Sequence, residues 1–197
     1  MVAAVAMLGV SGCAADAPTG DTGPTGSVVD YHPDYPSYEN LASLYEQADV
    51  VIEATIEPGT KVQNLTPSKV SESDPQLNPN AGMPSGQQQA SEALVVTVFQ
   101  AKANRVFKGD VKPGALVPVK QLGGDYQGVT YRETDAVALR SGTGYILFLA
   151  LFPDSPASLL NPDQAQYPLD AAGKPGPVSA EAVTFTVADL ERLSAGR

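Results

Sequence analysis

Tryptophan is absent from this chain of 197 residues, cysteine and histidine occur once each, and 12 Lys and Arg stand against 22 Asp and Glu. Each shortage excludes something. A single cysteine cannot form an intramolecular disulfide, so stability has to come from a packed core. Structural zinc wants a cluster of Cys and His ligands, which this composition cannot supply. The only histidine, His32, is followed by Pro33 in a polar segment, a poor place for the base of a Ser-His-acid triad. A formal net charge of −10 repels phosphate backbones and anionic head groups, which argues against nucleic acid as a partner. No apolar run reaches the roughly twenty residues of a membrane-spanning helix. Gly142 and Gly144 are followed by an apolar run and not by Lys-Ser/Thr, so they are not a phosphate loop. No cofactor, no metal and no catalytic residue is expected. What remains is 43% hydrophobic and only 17% charged, with 18 Gly and 17 Pro, a mixture that suits short strands and many turns. The length fits one domain.

The N-terminus speaks to location. Val2 to Val10 form a short apolar segment, and Val10-Ser11-Gly12-Cys13 resembles the lipobox of a bacterial lipoprotein, although no Lys or Arg precedes the apolar segment. The resemblance implies a signal peptide over residues 1–12, lipid on the Cys13 sulfur, and retention on the outer face of the cell membrane. Residues 13–36, rich in Ala, Asp, Pro, Thr and Gly, bury too little apolar area to offset their ordering entropy and read as a flexible tether. Its second half, Asp30 to Tyr38, interleaves Tyr with Pro and Asp; a linker or an arm packed on the domain is the expectation, a recognition strip the alternative.

Residues 37–197 are read as a single domain. Ser37 is the expected N-cap of a short helix with Leu41, Leu44, Tyr45 and Ala48 on one face. Val50, Ile52, Ala54 and Ile56 then alternate with Val51, Glu53, Thr55 and Glu57 as a first strand. Residues 58–92, rich in Ser, Asn, Gln and Pro, are expected to be a disordered insertion. A long strand follows from Ala93 to Phe107, its alternation slipping near Asn104-Arg105 as a bulge would make it slip. Lys108-Gly109-Asp110 and Pro113-Gly114 are turns, and Leu116 to Leu122 is a strand in which Pro118 demands an edge or a bulge. Gly123-Gly124-Asp125 is expected as a turn, Tyr126 to Asp135 as a polar connector, Ala136 to Arg140 as a short strand, and Tyr145 to Leu151 as a central buried strand. Phe152 to Gln166 is expected as a loop, Tyr167 to Leu169 and Val183 to Val187 as the last strands, and Ala188 to Leu193 as a terminal helical turn. The fold class is therefore mainly β, with one short N-terminal helix and one short C-terminal helix.

Two segments carry a further resemblance: Leu41 to Ile56, ending in Ala48-Asp49-Val50-Val51, and Val106-Phe107-Lys108-Gly109 with Pro113-Gly114, Leu122-Gly123-Gly124 and Gly144 to Leu149. They resemble a widespread group of secreted and lipid-anchored bacterial proteins, common in actinobacteria, with an OB-like or netrin-module-like β-barrel. The resemblance implies a small closed or partly open barrel of about five to seven strands. It covers turns and core strands and implies no functional residue. Metalloprotease inhibitors sharing such a barrel act through a free N-terminal cysteine and disulfides, from which a lone, lipidated Cys13 departs.

The one basic concentration, Lys102, Arg105, Lys108, Lys112 and Lys120, surrounds the central hairpin and is the candidate face for a ligand or partner, with protection of a strand edge as the plainer reading. Asp30 with Asp34, or Asp125 with Glu133 and Asp135, lack calcium-loop spacing, and Glu53 with Glu57 read as solvent-facing. The function expected is a lipid-anchored, extracytoplasmic binding domain without catalytic activity, its partner an envelope protein or glycan. The alternatives are an envelope hydrolase using Asp125, Glu133 or Asp135, and a structural spacer.

Overall fold

The computed structural model describes residues 27–65, 94–134 and 136–196. Cys13, most of the expected tether and insertion, and Asp135 lie outside them. The fold is mainly β, with nine strands and two helices among the described residues. In chain order they are β1 (Val28–Tyr31), α1 (Leu41–Gln47), β2 (Val50–Ile56), β3 (Lys61–Leu65), β4 (Leu94–Lys108), β5 (Leu116–Tyr126), β6 (Val129–Glu133), β7 (Gly144–Phe152), β8 (Ser155–Leu159), β9 (Gln166–Pro168) and α2 (Val187–Ala195). No helix among the described residues is long and apolar enough to cross a membrane.

Five strands pair in a ring. β2 lies antiparallel between β4 and β7, β4 pairs with β5, and β7 turns back into β8. β8 then meets β5 in parallel through Val119–Ala157 and Lys120–Ser158 alone. The ring is not a clean barrel, because β1 and β6 extend from β5, β3 from β4 and β9 from β7. These additions raise the strand number above the five to seven expected.

The alternation in β2 explains the layers. Ile52, Ala54 and Ile56 pair with Val106, Ala103 and Ala101 of β4 and point into the ring with Phe99, Val117 and Val119, all buried except Val106. Val51 and its partner Phe148 point outward, yet are fully buried. On that side Phe148 meets Tyr167 and Phe185 edge-on at 6.0 and 5.9 Å between ring centroids. Core therefore lies on both faces of the β2–β7 pair, which is why Tyr145 to Leu149 read as apolar throughout.

Several expectations are corrected. The cap of α1 is Asn40, whose Oδ1 accepts the Ser43 N–H at 2.9 Å; Ser37 lies too far upstream, because Tyr38 turns into the core with its N–H on Gln164 Oε1 at 2.8 Å. The tether ends earlier than residue 36: β1 pairs in parallel with β6, and Tyr31 stacks on Tyr131 with centroids 5.9 Å apart. Part of the expected insertion, Lys61–Leu65, is β3 on the edge of β4. Gly123-Gly124 is no turn but the interior of β5, where the strand ends its pairing with β4 at Leu122 and begins pairing with β6. Positive φ at both glycines, 98° and 133°, supplies the bend, and a Cβ on Gly123 would sit 2.7 Å from the Tyr131 carbonyl oxygen. The polar connector is thus a hairpin, and the loop after Phe152 contains β8. Neither Ala136 to Arg140 nor Val183 to Val187 is a strand. The first is held by side chains in place of a ladder: Gln121 Oε1 accepts the Leu139 N–H at 2.8 Å, and Gln166 Nε2 donates to the Val137 carbonyl at 2.7 Å. The second packs Phe185 on Tyr167, 4.6 Å between centroids, and leads into the Thr186–Asp189 capping box of α2.

Candidate functional site

The central hairpin is where the basic residues were expected to gather, and two irregularities in β4 decide how they face. Lys102, Arg105 and Lys108 would alternate between faces in a regular strand. The β2–β4 register shifts twice, so that they sit opposite Thr55, Glu53 and Val51, the three outward positions of β2. All three therefore lie on the outer face, and the slip expected near Asn104-Arg105 is present.

They do not share one role there. Arg105 forms an ion pair with Glu191 of α2 and lies 4.9 Å over the Phe107 ring. Lys108 donates to the carbonyls of Tyr45 and Glu46 at 2.8 and 2.7 Å, neutralising the carbonyl end of α1, while the Tyr45 hydroxyl donates to the Phe107 carbonyl at 2.6 Å. Those two cations are structural fasteners for the helices. Lys112 is exposed in the turn after β4, and Lys102 is exposed beside Gln100, Leu116 and Glu57 around a surface depression of about 420 Å³. Lys120 faces outward opposite Val98 of β4 and Ser158 of β8. Its ammonium donates to Ser155 Oγ at 2.6 Å and lies 4.5 Å over the Phe152 ring, and burial lowers its pKa.

Hydrophobic neighbours of these lysines were not foreseen as site residues. Leu116 is 57% exposed and Phe152 48% exposed, with Pro118 exposed between Leu116 and Lys120 on the same face of β5. The pairing of Leu116 with Lys102 puts Leu116 outside. The signal was available in the alternation, since Val117 and Val119 are the inward pair.

The acidic residues are dispersed. Asp125 accepts from Thr130 Oγ1 at 2.7 Å, its cross-strand partner. Glu133 lies three residues beyond Thr130, so it points to the opposite face and is displaced by about 10 Å along the strand. Burial raises the Glu133 pKa, and the Tyr35 hydroxyl bonded to its carboxylate opposes that shift. Asp30 is committed to an ion pair with Arg132, which holds its pKa low, and Asp34 is exposed beside His32 on the arm. Glu53 and Glu57 are half-buried on the outer face. Among the described residues no three His, Cys, Asp or Glu gather as a metal site.

Fold and surface together define a small β-ring domain with an outward face of mixed apolar and basic character. No family model, no curated protein and no solved structure matches the chain.

Proposed function

We propose that this chain is a lipid-anchored, extracytoplasmic binding domain without catalytic activity, whose outward β4–β5 face meets another component of the cell envelope, protein or glycan. The observation that carries the reading is that exposed Leu116 lies opposite Lys102 and exposed Phe152 lies under the Lys120 ammonium. Apolar side chains flanked by cations on a rigid sheet are suited to docking. The likeness of Val10 to Cys13 to a lipobox supports the location, and the ring of five pairing strands is in keeping with an OB-like domain.

Metabolic labelling with a fatty-acid analogue tests the anchor: the wild-type chain takes up label and sediments with membranes, and Cys13→Ser does neither. A photo-crosslinking residue in place of Leu116 or Phe152 tests the face, with exposed Ala171 as the remote control. Adducts from the first two positions alone support the reading. An unlabelled Cys13 in a cytoplasmic protein overturns the location, and equal adducts from all three positions overturn the face.

A further inference from the structure

Beyond partner docking, we propose that the opening where β5 and β8 part is a binding site for a small monocarboxylate with an apolar tail. A cavity of about 240 Å³ lies there. Its origin is the short seam of the ring: Lys120–Ser158 is the last pair joining the two strands, and beyond it Leu122 on one side and Leu159 on the other line open space. Val96, the cross-strand partner of Leu122, continues the wall. Across the gap runs the N-terminal arm, which presents Pro33 and Tyr35 to the same cavity.

The walls are thus mostly aliphatic, and water held among them has few polar partners, so an apolar tail displaces it with gain. The polar groups set the head. Lys120 and Ser158 stand side by side in the ladder and both line the cavity. The Lys120 ammonium has the Ser155 hydroxyl as acceptor and the Phe152 ring beneath it. Burial lowers its pKa with no offsetting carboxylate among the described residues, the condition of a cation that gains from an anionic partner. Glu133, the cavity's own carboxyl, is bonded to the Tyr35 hydroxyl, and burial raises its pKa. A ligand carboxylate supplies a counter-charge to Lys120, and its tail fills the aliphatic walls.

The test titrates the 197-residue chain with octanoate, octanol and octylamine, followed by NMR shifts at Val96, Lys120 and Leu122. Octanoate is expected to saturate one site and to bind about tenfold more tightly than octanol, the value of one charge-assisted contact, with octylamine weakest. Lys120→Met should reduce octanoate to the affinity of octanol and leave octanol unchanged, whereas Lys120→Arg retains the preference. Leu122→Trp, which fills the cavity, should abolish both; should that variant fail to fold, Val96→Phe fills the same space. Octanoate binding no better than octanol overturns the proposal. So does preference for octylamine, which assigns the head to Glu133, or wild-type binding by a folded cavity-filling variant. None of these outcomes bears on lipid attachment at Cys13 or on crosslinking from Leu116.

Discussion

Gly109 and Gly114 flank the turn at the centre of the chain, and both hold positive φ, 94° and 87°. Their surroundings differ. A Cβ on Gly109 would lie 2.7 Å from the Asp49 carbonyl oxygen and from Val50 Cγ2, whereas nothing lies within 4 Å of one on Gly114. At Gly114 alanine meets only the left-handed backbone penalty of about 1–2 kcal/mol. At Gly109 it adds an overpacking cost of about 1–3 kcal/mol against the packed start of β2. Gly109→Ala is therefore expected to lose about 3 kcal/mol or more in urea unfolding, and Gly114→Ala about 1 kcal/mol. Equal losses would show that this turn is not seated on β2. The Lys-Gly-Asp and Pro-Gly sequences announced turns at both places, but only the approach of a second strand distinguishes them.

Among the elements, the arm before α1 has an attachment that responds to pH. It is clasped through Asp30–Arg132, Tyr31–Tyr131 and Tyr35–Glu133. Burial raises the Glu133 pKa above its ordinary 4.5, so in the window from that value up to the folded one the native state binds more protons than the unfolded state. Its contribution is full below the unfolded pKa and is lost as pH rises through the folded pKa. Asp30 has the opposite sign: its lowered pKa adds stability that disappears only as pH falls through the folded value. Glu133→Gln is therefore expected to flatten the decline of stability above about pH 4.5, seen in urea melts across that window; an unchanged slope would mean that Glu133 titrates as it does in the unfolded chain. The arm also shows which elements were legible. β2, β4 and β7 were, because alternation or continuous apolarity over seven or more residues leaves few ways to be buried. β1, β3 and β8 are shorter, polar or proline-containing, and exist because a ladder edge was available, which is a property of the partner strand. The basic face was legible as a concentration of charge; that Arg105 and Lys108 serve α2 and α1 depends on helix placement, which local sequence does not encode.

For the molecule as a whole, the ring is unevenly closed. β2 is paired along six positions with β4 and six with β7, while β8 is joined to β5 at two. Opening the β5–β8 seam breaks two residue pairs, whereas opening β2 breaks both of its ladders and exposes both layers of the core. Local opening energies scale with that difference. The chain is thus expected to exchange the β5–β8 amides through sub-global opening, sensitive to substitutions at the arm that bridges the gap, and the β2 and β7 amides only with complete unfolding. Hydrogen exchange by NMR under native conditions checks this, with Tyr35→Ala as the perturbation. The variant should speed exchange of those amides of Val119, Lys120, Ala157 and Ser158 that donate across the seam more than its loss of global stability accounts for. Uniform acceleration across β2, β7 and the seam would show that the ring opens as one cooperative unit, and that the arm stabilises the whole fold without selectively bridging its gap.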